Sequence, residues 1–284
     1  MAKPVSISEI DELKLIYAEI LDGYSFDGDL NLFIKHLTEK DSSLILRKRE
    51  HLFHYYASEG VPHESECLKS AIENEEWSAE KEERILELKY HISDNEKHIH
   101  NIIPEMRVAI EKEIDATKSK LADMLYERKS VLGRNIEDLV DDDVNDYVLF
   151  LTYHKDQELK EKMFPTYDEF QTLEPSKLGE LNTRLGFHYR RFSEEKVKAI
   201  ACLPLFQNKF TYSKDNVSTF LGKPIIELTH NQHYLFLFGV RNINTLQHAK
   251  GSPPDLSLDA KIIDLVKWYD LHHSLNIGKQ KPQE

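Results

Sequence analysis

Apolar residues recur at helical spacing through most of this chain and alternate with a period of two in one short stretch near its start. Ile10, Leu13, Ile16, Tyr17 and Ile20 follow i, i+3, i+4 spacing, and Ser6 with Glu9 three residues on has the form of a capping box. Together they predict a first helix. In YSFDGDLNLFIKH, Asp27-Gly28-Asp29 separates two short runs, and Leu30, Leu32 and Ile34 alternate along the second. That is the grammar of a β-hairpin. A further helix is expected from about Lys40 to Ser58, ended by Gly60 and Pro62.

From Ser78 to Gly133 the pattern is longer. Ile85, Leu88, Ile92, Ile99 and Ile102 fall near a and d positions, with Asn95 in the missing slot. Beyond Pro104, the residues Met106, Ile110, Ile114, Leu121, Leu125 and Leu132 carry a second stripe to a glycine stop. Proline lacks a backbone N–H and disfavours helix at the residue before it, so the stretch predicts two helices folded back on each other. Arms of roughly 23 to 28 residues would project about 35 to 40 Å. Glu and Lys interleaved at i, i+3 and i+4 in EKEERILELK and AIEKEIDATKSK suit a solvated helix pair.

The stretch NIEDLVDDDVNDYVLFLTYHKD is expected to be helical, with an acidic first half at the positive end of the macrodipole. Pro165 and Pro175 mark a linker, and helices are expected from about Ser176 to Phe192 and from Ser193 to Lys209. Thr229 and Gln232 form another capping-box pair, opening a helix through Tyr234, Leu235, Leu237, Phe238 and Val240. The run YLFLF is apolar on consecutive positions, so a helix there must be covered on more than one side, either at the centre of a bundle or partly by a partner. After the break at Gly251-Ser252-Pro253-Pro254, Ile262, Ile263, Leu265, Val266, Trp268, Tyr269 and Leu271 predict a last amphipathic helix. The fold class is therefore mainly α: a helical coiled-coil hairpin and an α-helical C-terminal bundle, with a small N-terminal β-hairpin. The expected regions are 1–77, 78–133 and 134–284.

Composition narrows the function classes. The chain of 284 residues carries 50 Asp and Glu against 37 Lys and Arg, a net charge of -13. A sequence-tolerant grip on nucleic acid needs a surplus of cations, so none is expected. No apolar run approaches the roughly 20 residues that span a bilayer, and the start MAKPVSISEIDEL lacks the basic-then-apolar order of a signal peptide. Neither a membrane partner nor export is expected. Cys67 and Cys202 lie far apart, which encodes neither a disulfide framework nor a thiolate cage.

The most suggestive constellation is HLFHYYASEGVPHESEC, where His51, His54, His63 and Cys67 fall as H-x2-H-x8-H-x3-C. Imidazole and thiolate suit tetrahedral zinc, although the usual thiolate knuckle is missing. Ordinary helix and loop histidines explain the same pattern in a chain with 14 of them. Asp138, Asp141, Asp142, Asp143 and Asp146 lack the glycine turn and final bidentate Glu of a calcium loop, and a helix start accounts for them. Glu227, His230 and His233 have H-x2-H spacing, which fails the zincin pattern, and Gly222-Lys223-Pro224 lacks the rest of a phosphate loop. No GxSxG elbow occurs. No catalytic, cofactor-binding or metal-ligating residue is assigned, and no cofactor is expected.

An ordered set of short signatures runs along nearly the whole chain: Phe33-Ile34-Lys35-His36, Glu59-Gly60-Val61-Pro62, Glu76-Trp77-Ser78-Ala79-Glu80, the charged helical hairpin, and Asn145-Asp146-Tyr147. Leu205-Phe206, Asp215-Asn216, Phe220, Gly222-Lys223-Pro224, Leu228-Thr229, Leu235-Phe236 and Trp268-Tyr269 complete it. In these the chain resembles proteins of large contractile-tailed phages assigned to virion morphogenesis. The resemblance implies a non-enzymatic role in tail or capsid assembly, partners among other phage structural or assembly proteins, and a place in the host cytoplasm or the virion.

It carries no active site over to this chain. The hairpin tip, around His98, His100 and Pro104, and the acidic segment near Asp141 are the expected contact surfaces. The hairpin stripe can seal within one chain or between two, which leaves a homo-oligomer open. Two other readings remain: a metal-binding protein or hydrolase centred on His51, His54, His63 and Cys67, and a regulator that binds host machinery by acidic mimicry of nucleic acid.

Overall fold

The computed structural model describes residues 8–99, 104–213, 216–256 and 261–279. In chain order, α1 (Glu9–Asp22) leads into β1 (Tyr24–Asp27) and β2 (Leu32–Lys35). Then come α2 (Glu39–Ser58), α3 (Glu64–Glu73), α4 (Ala79–His98), α5 (Pro104–Leu132) and α6 (Ile136–Thr152). A two-residue strand, β3 (Tyr153–His154), precedes α7 (Tyr167–Gln171), α8 (Pro175–Arg191), α9 (Glu194–Cys202), α10 (Pro204–Tyr212), α11 (Val217–Leu221), α12 (His230–His248) and α13 (Ile262–Lys279). The chain is mainly α with a small antiparallel sheet, in line with the sequence reading. It divides into two compact units, one made of the chain up to Arg47 with the chain from Asn145 onward, the other of Lys48–Val144. Both boundaries drawn from the sequence, after 77 and after 133, fall inside the second unit.

In the first unit, α1 starts two residues later than the pattern suggested. Ser8 is its cap, accepting from the Asp11 N–H at 3.2 Å, so Glu9 is the first helical residue and not the third; Ser6 lies outside the described residues. Ile10 is exposed, and Leu13, Ile16, Tyr17 and Ile20 form the buried face. The hairpin pairs Tyr24 with Lys35 and Phe26 with Phe33, and β2 pairs with β3 on its other edge. Period-two alternation buries Leu32 and Ile34 against Leu149, Phe150, Tyr153, Phe170 and Leu181. The expected helix through Tyr153 and His154 therefore stops at Thr152, because these residues pair with Ile34 and Phe33.

A second core joins α1 to α9, α10, α12 and α13 through Ile16, Ile20, Ile200, Phe206, Phe210, Leu235, Val266 and Tyr269. The single helix expected over 193–209 is two. Leu203 is extended (φ -68°, ψ 137°), as a residue before proline prefers, and Pro204 opens α10. The Thr229–Gln232 capping box forms as expected, and Gln232 does more than cap α12. Its Nε2 donates to Ile20 O at 2.8 Å and Leu21 O at 3.0 Å, satisfying the last carbonyls of α1. The YLFLF segment departs from the expectation of many-sided cover. Leu235 is fully buried and Phe236 and Phe238 pack against the core, but Tyr234 (55%) and Leu237 (48%) face solvent. Gly239 explains the tight fit: a Cβ there would meet Phe210 Cε2 at 2.7 Å and Phe206 Cζ at 2.9 Å. Only a missing side chain lets those rings approach the α12 backbone.

The second unit holds the helical hairpin. Ion pairs Lys81–Glu127 (2.6 Å) near one end and Glu96–Lys118 (2.7 Å) nearer the other show α4 and α5 antiparallel, the partner number falling on α5 as it rises on α4, and His91 Nε2 lies 3.4 Å from Glu113 between the same two helices. Ile85, Leu88 and Ile92 are buried on α4, with Asn95 and Ile99 half-buried on the same line. On α5 the inward line is Ile114, Thr117, Leu121, Met124, Arg128 and Leu132, spaced by three and four. Met106 and Leu125, expected in that stripe, are exposed. His100 and Ile102 lie outside the described residues. The helix α3 was not anticipated, having only Leu68, Ala71 and Ile72 as apolar signals. It starts at His63, whose N–H donates to Glu66 Oε2 at 2.9 Å, and is tied to the hairpin base by Arg128, which reaches both Glu64 and Glu82. Glu82 also accepts from the buried Trp77 Nε1 at 2.8 Å.

Candidate functional site

The zinc constellation is not assembled. His51 and His54 are exposed on α2, while His63, at the start of α3, turns Nδ1 to Glu137 Oε1 at 3.2 Å. Glu137 also accepts from the Glu64 N–H at 2.8 Å, so its carboxylate closes a helix-terminus contact. Burial, then Glu137 and Glu66, pushes the Cys67 thiol up, away from the thiolate a zinc ion needs. Among the described residues, no group of three or more His, Cys, Asp or Glu side chains could hold a metal ion.

The acidic run of α6 is taken up in ordinary pairings. Asp138 meets Lys129 at 2.9 Å and Asn135 at 3.0 Å, Asp141 meets Arg49 at 2.7 Å, and Asp143 accepts from the Tyr56 hydroxyl at 2.7 Å. His230 Nε2 lies 3.0 Å from Ser42 Oγ, and His233 and Glu227 are exposed. Gly222 closes α11 at φ 68°, so Gly222-Lys223-Pro224 is a turn. At the hairpin end, exposed His98 holds Asp94 O at 2.8 Å through Nδ1.

A buried polar cluster that the sequence reading missed lies beneath α8. On α8, Arg184, His188 and Arg191 stand four and three residues apart, on one helical face. Arg184 reaches Asp27 (3.3 Å) and Asp29 (3.1 Å) in the hairpin turn, and Arg191 reaches Glu19 of α1 (2.8 Å). Between these ties lie Ser25 of β1 and His36 after β2, both buried. Ser25 Oγ donates to Glu19 Oε2 at 2.6 Å and sits 3.1 Å from His36 Nε2. A carboxylate only accepts, so Ser25 spends its proton on Glu19 and must accept from His36. His36 therefore carries its proton on Nε2 and leaves Nδ1 bare. That nitrogen is buried without a partner, as is Nε2 of His188, whose ring lies 5.2 Å from that of His36.

The order of groups decides the chemistry. In a nucleophilic triad the serine gives its proton to the imidazole and the carboxylate orients that imidazole. Here serine stands between carboxylate and imidazole, and proton flow toward His36 is blocked. Burial holds both histidines far below their ordinary range, His36 at about 3 and His188 at about 4, with Arg191 adding to the effect on each. With both imidazoles neutral and the surrounding charges paired, the cluster is a polar lock joining α1, the hairpin and α8.

At the surface, the hairpin presents large apolar side chains among paired charges. Leu86 (65%) and Tyr90 (73%) stand four apart on α4, and Tyr126 (80%) stands on α5. No helix among the described residues is long and apolar enough to cross a membrane. The chain matches no known family, no curated protein and no solved structure.

Proposed function

We propose that this chain is a non-enzymatic virion morphogenesis protein of a large contractile-tailed phage, working by contact between its helical hairpin and other assembly proteins. The observation that carries the contact reading is the exposure of Leu86, Tyr90 and Tyr126 on a hairpin whose own core line is already filled. Tyrosines with an apolar body and a polar tip are what interface centres favour, and flanking charges set orientation and on-rate. The phage setting rests on the signatures from Phe33-Ile34-Lys35-His36 to Trp268-Tyr269.

A phage lacking the gene, complemented with the doubly substituted Leu86→Glu and Tyr90→Glu chain, tests both parts. Expected is a protein with unchanged thermal unfolding that fails to restore particle yield and no longer co-purifies with assembly intermediates. Full restoration of particles would overturn the contact surface. Normal particle yield from the deletion itself would overturn the morphogenesis role.

A further inference from the structure

The hairpin stripe closes within one chain: Ile85, Leu88, Ile92 and Ile114 are buried, and Lys81–Glu127 and Glu96–Lys118 tie its arms together. In the first unit, α12 leaves apolar surface open. Its buried line of Gln232, Leu235, Gly239, Asn242 and Thr245 faces the core. On the opposite side His233, Leu237 and Asn244 follow at spacings of four and seven, with Tyr234 beside them, and all four are exposed. Just ahead of the helix the chain adds Ile225 and Ile226, also exposed. The bundle thus covers the YLFLF run on its inner side, and a helix apolar on consecutive positions calls for cover on the outer side as well.

Charge points to what that cover is. The chain is 31% charged with a net of -13, yet the 19 residues of α12 include no Asp, Glu or Lys, and their one Arg, Arg241, is taken by Asp270 of α13 at 2.7 Å. The hairpin differs: Leu86 and Tyr90 stand among Glu and Lys that select and orient an unlike partner. A charge-free face selects little but suits its own image, because in a two-fold contact a charge near the axis meets its like. On so acidic a chain it is also where a second copy approaches with least repulsion. The flanking charges fit the same arrangement. Glu227 precedes α12 and Lys250 follows it, both exposed, opposite in sign and at opposite ends. Midway between them lies Phe238–Gly239, next to Leu237, so an antiparallel crossing at Leu237 sets each Glu227 toward the other copy's Lys250. We propose that α12 is a self-docking surface, on which a second copy of the chain lays its own α12 antiparallel, crossing at Leu237 with Glu227–Lys250 pairs at both ends. A single helix about 28 Å long presents less than the roughly 800 Å² per partner of a standard interface, so the dimer is weak, with Kd on the order of 10–100 μM. The proposal is independent of the morphogenesis reading.

Sedimentation equilibrium of the full chain, from about 5 μM to about 500 μM, is the test. Expected is a monomer–dimer equilibrium within that range. Leu237→Glu puts like charges at the axis and should weaken the dimer at least about tenfold, with thermal unfolding of the dilute monomer near that of the parent. Glu227→Lys sets lysine toward lysine at both ends and should weaken it about fivefold; adding Lys250→Glu should restore it to within about twofold. These exposed end charges report even if Leu237→Glu disturbs the helix. The chain carrying Leu86→Glu and Tyr90→Glu should dimerise as the parent does, which separates this surface from the hairpin's. A chain that stays monomeric throughout would overturn the proposal and leave the face to an unlike partner. It is equally overturned by a dimer indifferent to Leu237→Glu, by failure of the exchanged charges to restore binding, or by a dimer lost with the Leu86 and Tyr90 substitutions.

Discussion

The α12-centred core of the first unit and the α4–α5 hairpin of the second are both helix packings, yet they use opposite means. In the first, Phe206, Phe210, Phe220 and Phe236 interlock with ring centres 5.2 to 5.4 Å apart, and a glycine admits two of them to the helix backbone. Side chains from five helices cover Leu235 and its neighbours. In the hairpin a single aliphatic line does the packing, and much of the remaining contact is ion pairs such as Lys81–Glu127 and Glu96–Lys118, about half exposed. Such pairs each contribute less than about 1 kcal/mol. A many-sided aromatic core penalises almost any change, while a one-sided seam leaves most of its circumference free to vary. That freedom is what a contact surface needs. The chain has two tryptophans, Trp77 in the second unit and Trp268 in the first, so single-tryptophan variants can follow each unit's unfolding separately.

The largest effect should come from Leu235→Ala. Leu235 is completely buried, and deleting its methyl groups leaves a cavity that a rigid aromatic surround cannot close. A loss of about 2–5 kcal/mol is expected, read by urea unfolding through Trp268. Trp77 should report a much smaller change. If both transitions moved together by the same amount, the two units would unfold as one and the contrast between them would fail.

Acid should act next most strongly, again on the first unit. In the unfolded chain His36 and His188 take up protons near 6.5; in the native state they refuse them until about pH 3 and about pH 4. Below pH 6.5 the unfolded state therefore binds more protons, and stability falls as the pH drops toward 4. The slope fades as the pH rises through 6.5 and is gone by about pH 8, where neither state binds these protons. Each histidine can remove at most about 2 kcal/mol between pH 7 and pH 5. The charged groups of this cluster, Glu19, Arg191 and Asp27, remain in a His188→Leu variant, so comparing its urea midpoints with those of the parent isolates the histidine. The variant should lose about half the slope between pH 6.5 and 5. An unchanged slope would show that the rings do not stay neutral in the fold.

That cluster also shows where sequence reading stops. Short-range patterns were legible: the hairpin around Asp27-Gly28-Asp29, the line Ile85, Leu88, Ile92, and the Thr229–Gln232 box all depend on neighbours a few residues away. Gln232's second task, closing α1 at Ile20 and Leu21, depends on residues more than two hundred positions distant, and no local pattern encodes it. Ser25, His36, Glu19 and Arg191 likewise come from separate elements. The spacing of Arg184, His188 and Arg191 puts three polar side chains on one helical face, but nothing local says that this face turns inward or names its partners. Tyr153 and His154 read as helix because their apolar neighbours did, and pairing with β2 overrode that preference. Pro204 was a plain local break, and the apolar residues on both sides of it obscured the stop.

Gly239→Ala turns the comparison into a test of close packing. Alanine is the better helix former by about 1 kcal/mol in an open helix. At this position its Cβ would fall 2.7 to 2.9 Å from three ring atoms of Phe210 and Phe206. Overpacking should outweigh propensity and leave a net loss of about 1–3 kcal/mol, read through Trp268. Stabilisation would mean that the aromatic cluster yields easily, and the supposed rigidity of this core would be lost. The counterpart in the hairpin is Arg128→Met, which keeps the stem on the seam but strips Glu64 and Glu82 of their shared cation. Because both carboxylates retain some solvent, the expected loss is smaller, about 1–2 kcal/mol, with Trp77 as the reporter.

The smallest effect is the one that most sharpens the contrast. Leu86 and Tyr90 lie off the buried line of Ile85, Leu88 and Ile92, and replacing both with glutamate removes exposed apolar area without opening a cavity. Glutamate is a good helix former, and surface changes away from packed features stay within about 0.5 kcal/mol. Thermal unfolding should therefore be nearly unmoved. A drop comparable to that of Arg128→Met would show that these side chains support the hairpin itself. Side chains held out for a partner must be dispensable to the fold, so stability measured on the isolated chain must come before any reading of lost assembly.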